Sequence, residues 1–155
     1  MSKNTANNKL IRVLVADDHD IIRRSIRKLL AKEEGVEVIA EAKDGPEVLR
    51  LVGKLQPDIV LLDIAMPRLN GLEVATRLQR HSIQVLIVSM HARSSLVRHA
   101  IKRGARGYVL KSKLSEDLAL AIKAVGQGQT YFSLKEDIYS AGTAKTENFS
   151  RGLED

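Results

Sequence analysis

With 155 residues, 44% apolar content, a formal charge of +6 and no cysteine, the chain suits one domain with a single core, and disulfides, thiolate catalysis and thiolate metal sites are excluded. Only 3% of the residues are aromatic, too few for the base-stacking surface of a single-strand binder. The longest apolar stretch, Ile59 to Met66, is interrupted by Asp63, so no membrane span is present and the expected address is cytoplasmic.

Residues 1–9 are polar and Asn-rich; they read as a disordered leader without the apolar core of a secretory signal. Ile11 to Ala16 is a continuous apolar run, the kind of strand that helices cover on both faces. A helix entered at Asp20 or Ser25 follows, with Ile22, Ile26, Leu29 and Leu30 as its apolar stripe. Arg23, Arg24, Arg27 and Lys28 are expected to face water, and Gly35 to end the helix. Val36 to Ala42 alternates apolar residues with Glu37 and Glu41, which suits an edge strand. Asp44-Gly45-Pro46 starts a second helix carrying Val48, Leu51, Val52 and Leu55, closed by Gln56-Pro57.

The pattern then repeats: strand 58–62 with helix 72–80, strand 84–88 with helix 94–103, strand 107–110 with helix 115–126. Five strands alternating with five helices predict an α/β fold, a doubly wound five-stranded parallel sheet of flavodoxin-like order 2-1-3-4-5. The domain spans residues 10–128; residues 129–155 read as linker and tail, with a short helix at 134–139.

Polar residues stand where the strands end. Asp17 and Asp18 follow the first, Asp63 the third, Ser89 the fourth and Lys111 the fifth, and in such a sheet those ends converge on one edge where ligands bind. Taken singly, four have a plain reading, the acid pair as helix caps, Lys111 as a counter-ion and Ser89 as structural, whereas a purely structural role for Asp63 is not obvious. Taken together, three carboxylates, a hydroxyl and an ammonium suit a metal-assisted phosphoryl site, with Mg2+ as the natural cation. No Gly-rich phosphate loop follows the first strand, which excludes a nucleotide crevice of either common type. From Arg93 to Lys113 every formally charged residue is basic, a run that suits either a solvated helix face or a docking surface.

Leu14-Val15-Ala16-Asp17-Asp18-His19, the run from Asp58 to Glu73, Val88-Ser89 and Gly107 to Lys111 closely resemble the receiver domain of two-component response regulators. The likeness is to the NarL/FixJ-type branch. It implies that Asp63 is the phosphoacceptor, served by a sensor histidine kinase. Asp17, Asp18, Asp63 and the main-chain carbonyl of Ala65 are implied to hold Mg2+, while Ser89 and Lys111 bind phosphoryl oxygens. Ser89 and Tyr108 are implied to form a switch that alters the surface of helix four and strand five, bordered by Arg98, Lys102, Arg103 and Arg106.

The same resemblance implies a regulatory domain that promotes only its own phosphorylation and dephosphorylation, and a phosphorylation-linked homodimer. Transcription would be regulated through a C-terminal helix-turn-helix DNA-binding domain absent from this chain, since residues 141–155 cannot form one. One alternative is a stand-alone receiver acting by protein contact. Another is a phosphatase-type enzyme using Asp63 as nucleophile, against which Ala65 stands where such an enzyme carries a second acid. Ser112 follows Lys111 where many receivers have proline.

Overall fold

Apolar runs long enough to be buried on both faces force helices onto both sides of a sheet, and a computed structural model describing residues 9–133 has that arrangement. The elements are β1 (Ile11–Ala16), α1 (Asp20–Ala31), β2 (Val36–Ala42), α2 (Gly45–Leu55), β3 (Ile59–Asp63), α3 (Gly71–Leu78), β4 (Gln84–Ser89), α4 (Ser94–Lys102), β5 (Gly107–Leu110), a 3-10 turn (Lys111–Lys113), α5 (Leu114–Gly126) and β6 (Tyr131–Phe132). The expected leader, except Lys9, and residues 134–155 of the expected tail, with its helix at 134–139, lie outside the described residues; residues 129–133 of that tail are described and include β6.

The sheet order is β2-β1-β3-β4-β5-β6 with every neighbour parallel. The five-stranded order expected from the sequence is therefore present, extended by one short strand. β6 pairs Tyr131 with Gly107 and Phe132 with Tyr108. Gly107 permits that approach, because a Cβ there would lie 2.3 Å from Leu86 Cδ1 and 2.9 Å from the Tyr131 carbonyl oxygen.

Strand side chains alternate between two cores. Leu14, Ala16, Val60, Leu62, Val85 and Ile87 pack under α2, α3 and α4, with Val48, Val52, Val74, Leu78 and Val97 facing them. Val13, Val15, Ile59, Leu61, Leu86 and Val88 pack under α1 and α5 against Ile26, Leu30, Leu118, Ile122 and Val125. Each such side chain contributes about 1.5–3 kcal/mol on burial. Since both faces are filled, the strand ends are what the sheet leaves open for chemistry.

Local signals set the helix boundaries. Asp44 caps α2 by accepting from Glu47 N at 2.9 Å, and Asn70 caps α3 by accepting from Glu73 N at 3.0 Å. Gly71 lets α3 start against β3: a Cβ there would lie 2.3 Å from the Asp63 carbonyl oxygen, and its N–H donates to Ile64 O at 2.8 Å. Two expectations for α1 need correction. The helix stops at Ala31, and Gly35, with φ of 84°, turns the chain into β2. Arg23 does not face water: it is 6% exposed, whereas Arg24, Arg27 and Lys28 are exposed as expected.

Candidate functional site

The five polar strand-end residues meet at one edge of the sheet. Register carries them there: Ala16 lies opposite Leu62, Asp63 opposite Val88, and Ser89 opposite Leu110. Asp17 is 1% exposed, Ser89 2% and Asp63 4%, while Asp18 is exposed. The Lys111 ammonium reaches across from the turn after β5 to within 2.7 Å of Asp17 Oδ2 and 3.3 Å of Asp63 Oδ2.

The capping reading of Asp17 and Asp18 fails on geometry. His19 occupies the N-cap position of α1 and no side chain caps that helix. Asp17 Oδ1 instead accepts from its neighbour His19 N at 2.8 Å, an Asx turn that aims the carboxylate back into the pocket. His19 Nδ1 stands 3.0 Å from Asp17 Oδ1 and 3.2 Å from Asp18 Oδ1. Asp63 Oδ1 accepts from Ala65 N at 3.2 Å.

Crowding three acids into a largely buried pocket has an electrostatic consequence. Burial first, and then the Asp17 carboxylate, push the Asp63 carboxyl above its ordinary pKa, against the pull of Lys111. Asp17 Oδ2 and Asp63 Oδ2 are buried and receive no properly directed hydrogen bond, although Lys111 is close to both. Buried carboxylate oxygens left in that state are costly. One ligand atom from each of Asp17, Asp18, His19 and Asp63 can be chosen so that all four lie within 4.8 Å of one another. The oxygen-rich set fits a hard divalent cation such as Mg2+; the His19 nitrogen already serves the two acids beside it.

The loop after β4 links two further residues. Ser89 Oγ accepts from His91 N at 3.1 Å, and the Tyr108 hydroxyl donates to His91 O at 2.9 Å. Tyr108 is fully buried, and burial raises its phenol pKa. The basic run divides into two groups. Arg103 Nη1 donates to Thr76 Oγ1 at 3.0 Å and lies 3.8 Å from Glu73 Oε1, and Arg106 Nη2 donates to Gly128 O at 2.6 Å. Among the described residues, Arg98 and Lys102 have no acidic partner within ion-pair distance.

Sequence reasoning missed Arg23 and did not assign His19 a role. Arg23 lies behind the acid pair: Nη1 donates to Asp17 O at 2.7 Å, Nε to Glu41 Oε1 at 2.9 Å, and Nη2 to Asp20 Oδ1. Its spacing to Ile26 and Leu30 was the available signal, since these three are the buried residues of α1.

The family model of the response regulator receiver domain matches residues 13–123. The chain is 41% identical over 138 residues to the transcriptional regulatory protein DegU of Brevibacillus brevis, covering 87% of this chain and 58% of that one. It spans about three fifths of the length of that relative and of the GacA response regulators it also resembles. A two-component response regulator of the LuxR family from Aurantimonas sp. SI85-9A1 superposes with a TM-score of 0.81 at 34% identity, covering 85% of this chain and 97% of that one. The isolated receiver domain of RcsB from Salmonella enterica serovar Typhimurium, solved with the phosphomimetic BeF3-, superposes with a TM-score of 0.76 at 26% identity, covering 83% and 98%. Fold, strand-end acids and family match agree, and the chain belongs to the response regulator receiver domain family.

Proposed function

We propose that this chain is a cytoplasmic phosphorylation switch in which Asp63 accepts a phosphoryl group from the phosphohistidine of a sensor histidine kinase. The observation that carries this reading is the placement of Asp63 at the end of β3, 4% exposed, with Oδ2 3.3 Å from the Lys111 ammonium and the Asp17 carboxylate for a neighbour. An Asp63 carboxylate oxygen attacks phosphorus as the P–N bond to the donor imidazole breaks; the electron pair leaves on nitrogen, which takes a proton. Asp17, Asp18, Asp63 and the Ala65 carbonyl would hold Mg2+, which supplies charge neutralisation between phosphoryl group and carboxylates. Lys111, 3.3 Å from Asp63 Oδ2, would pair with a phosphoryl oxygen once Asp63 carries the acyl phosphate.

The response passes through Ser89 and Tyr108. A dianion on Asp63 attracts the Ser89 hydroxyl, which now accepts from His91 N. Drawing Ser89 away releases one tie on the loop whose carbonyl holds the Tyr108 hydroxyl. Tyr108 is fully buried with its hydroxyl on that carbonyl, and a change in its packing would carry the signal to the surface of α4 and β5. The surface of α4 and β5, where Arg98 and Lys102 meet no acidic group among the described residues, is the output face we assign, and homodimerisation linked to phosphorylation is its expected use. DegU is named a transcriptional regulatory protein; we propose transcription as the output here also, through a DNA-binding domain outside this chain.

The test is incubation with Mg2+ and acetyl phosphate. Wild type is expected to take up one acid-stable, base-labile phosphoryl group per chain, and Asp63→Asn none. Equal uptake by the two proteins would refute the assignment, and sustained turnover of an added phosphomonoester would favour a phosphatase.

A further inference from the structure

Arg23 is a nearly buried arginine that touches none of the three clustered acids through their carboxylates. Its guanidinium divides its donors among three elements: Asp17 O at the end of β1, Asp20 at the start of α1 and Glu41 in β2. Glu41 is shared, its second oxygen lying 2.9 Å from Arg27 Nε. Two cations and two acids thus close a balanced network behind the pocket, leaving its own excess of negative charge uncompensated except by Lys111.

The Asp17 carbonyl is the informative contact. That oxygen belongs to the peptide joining Asp17 to Asp18, and a peptide is planar, so fixing the carbonyl fixes the direction in which Asp18 leaves the strand. The Asp17 N–H is held as well, donating to Ala42 O at 3.1 Å. Among the described residues Asp18 is tied to nothing firmer than His19 Nδ1 at 3.2 Å, with a third of its side chain exposed. Without the guanidinium, this exposed acid would sample orientations that point away from Asp63.

We propose that Arg23 is a positioning residue for divalent-cation capture: by gripping the Asp17–Asp18 peptide it holds Asp18 facing Asp63 before any cation arrives. This rests on reading the acidic cluster as a cation site. Arginine is suited because its planar fork engages three acceptors in fixed directions, whereas lysine keeps the charge without the fork. Partners that orient a metal's ligands commonly govern its affinity by about 10–100-fold.

The experiment is a Mg2+ titration by calorimetry, with the Asp18 amide resonance as a second readout, on wild type, Arg23→Met, Arg23→Lys and Glu41→Gln, each first checked for folding by circular dichroism. Both Arg23 variants are expected to bind Mg2+ about 10–100-fold more weakly, with phosphoryl uptake recovered at saturating Mg2+. Glu41→Gln, which leaves the Asp17 carbonyl contact in place, is expected to lose less than the lower end of that range, about 10-fold. If Arg23→Met does not fold, Arg23→Lys decides. The inference is overturned if Arg23→Lys binds as wild type, which would leave charge alone as the role, or if Glu41→Gln loses as much affinity as the Arg23 variants. Failure of wild type to bind Mg2+ at all would instead remove the cation site and this inference with it.

Discussion

At the scale of single residues, Asp63 is held at a disadvantage that the proposed chemistry relieves. Burial and Asp17 raise its pKa in the folded chain, so as the pH rises the unfolded chain gives up its proton first. The stability linked to Asp63 is therefore greatest near and below the ordinary carboxylate pKa, and is lost as the pH rises through the folded value. Asp63→Asn is expected to remove that loss and to raise the melting midpoint at pH 7 in EDTA by a few degrees. Scanning fluorimetry between pH 4 and 8, taken with the pH range as roughly that of carboxylate titration, checks it; a lower midpoint would show that Asp63 is there for stability. The site acids and Lys111 were legible because each is a polar residue ending an apolar run. Arg23 was not, since four basic residues between positions 23 and 28 look alike to a rule that sends charge to water, and only the spacing 23, 26, 30 separates the buried one.

Among the elements, the five βα units were readable from periodicity, because continuous apolar strands and striped helices follow different repeats. β6 was not: two residues are too short to show an alternation, and what fixes them is their partner. Tyr131 N donates to Arg106 O at 3.0 Å, Ser133 N and Oγ donate to Tyr108 O at 2.9 and 3.2 Å, and the Tyr131 hydroxyl donates to Asp117 Oδ1 at 2.7 Å. Burial, helped by Asp117, pushes the Tyr131 phenol up to about 12. The unfolded chain ionises this group first, so the stability it carries is complete below its ordinary pKa of 10.0 and falls as the pH rises toward about 12. In a phenolate absorbance titration, the transition lost on going from wild type to Tyr131→Phe is expected to lie above the ordinary tyrosine value; loss of a transition at the ordinary value would contradict the hydrogen bond to Asp117. The junction of β3 and α3 offers a sharper perturbation. Gly71→Ala must move either Asp63 O or the helix start, given a built Cβ 2.3 Å from that oxygen. It is expected to cost roughly 1–3 kcal/mol in urea unfolding and to slow phosphoryl uptake. Unchanged uptake would mean that the loop yields without disturbing Asp63.

For the molecule as a whole, a sheet filled on both faces directs function to its strand ends, and the cations of the basic run differ in their partners. Of its four central cations, Arg103 and Arg106 engage Thr76, Glu73 and Gly128, while Arg98 and Lys102 have no acidic partner among the described residues. No helix among the described residues is long and apolar enough to cross a membrane. The proposed switch is one covalent bond, at one carboxylate among the three in the pocket. Phosphorylating the chain with acetyl phosphate and Mg2+, trapping the acyl phosphate with borohydride and mapping the reduced residue by peptide mass spectrometry tests it most directly. Homoserine at position 63 alone is the predicted result, and reduction at Asp17 or Asp18, or at no aspartate, would contradict it.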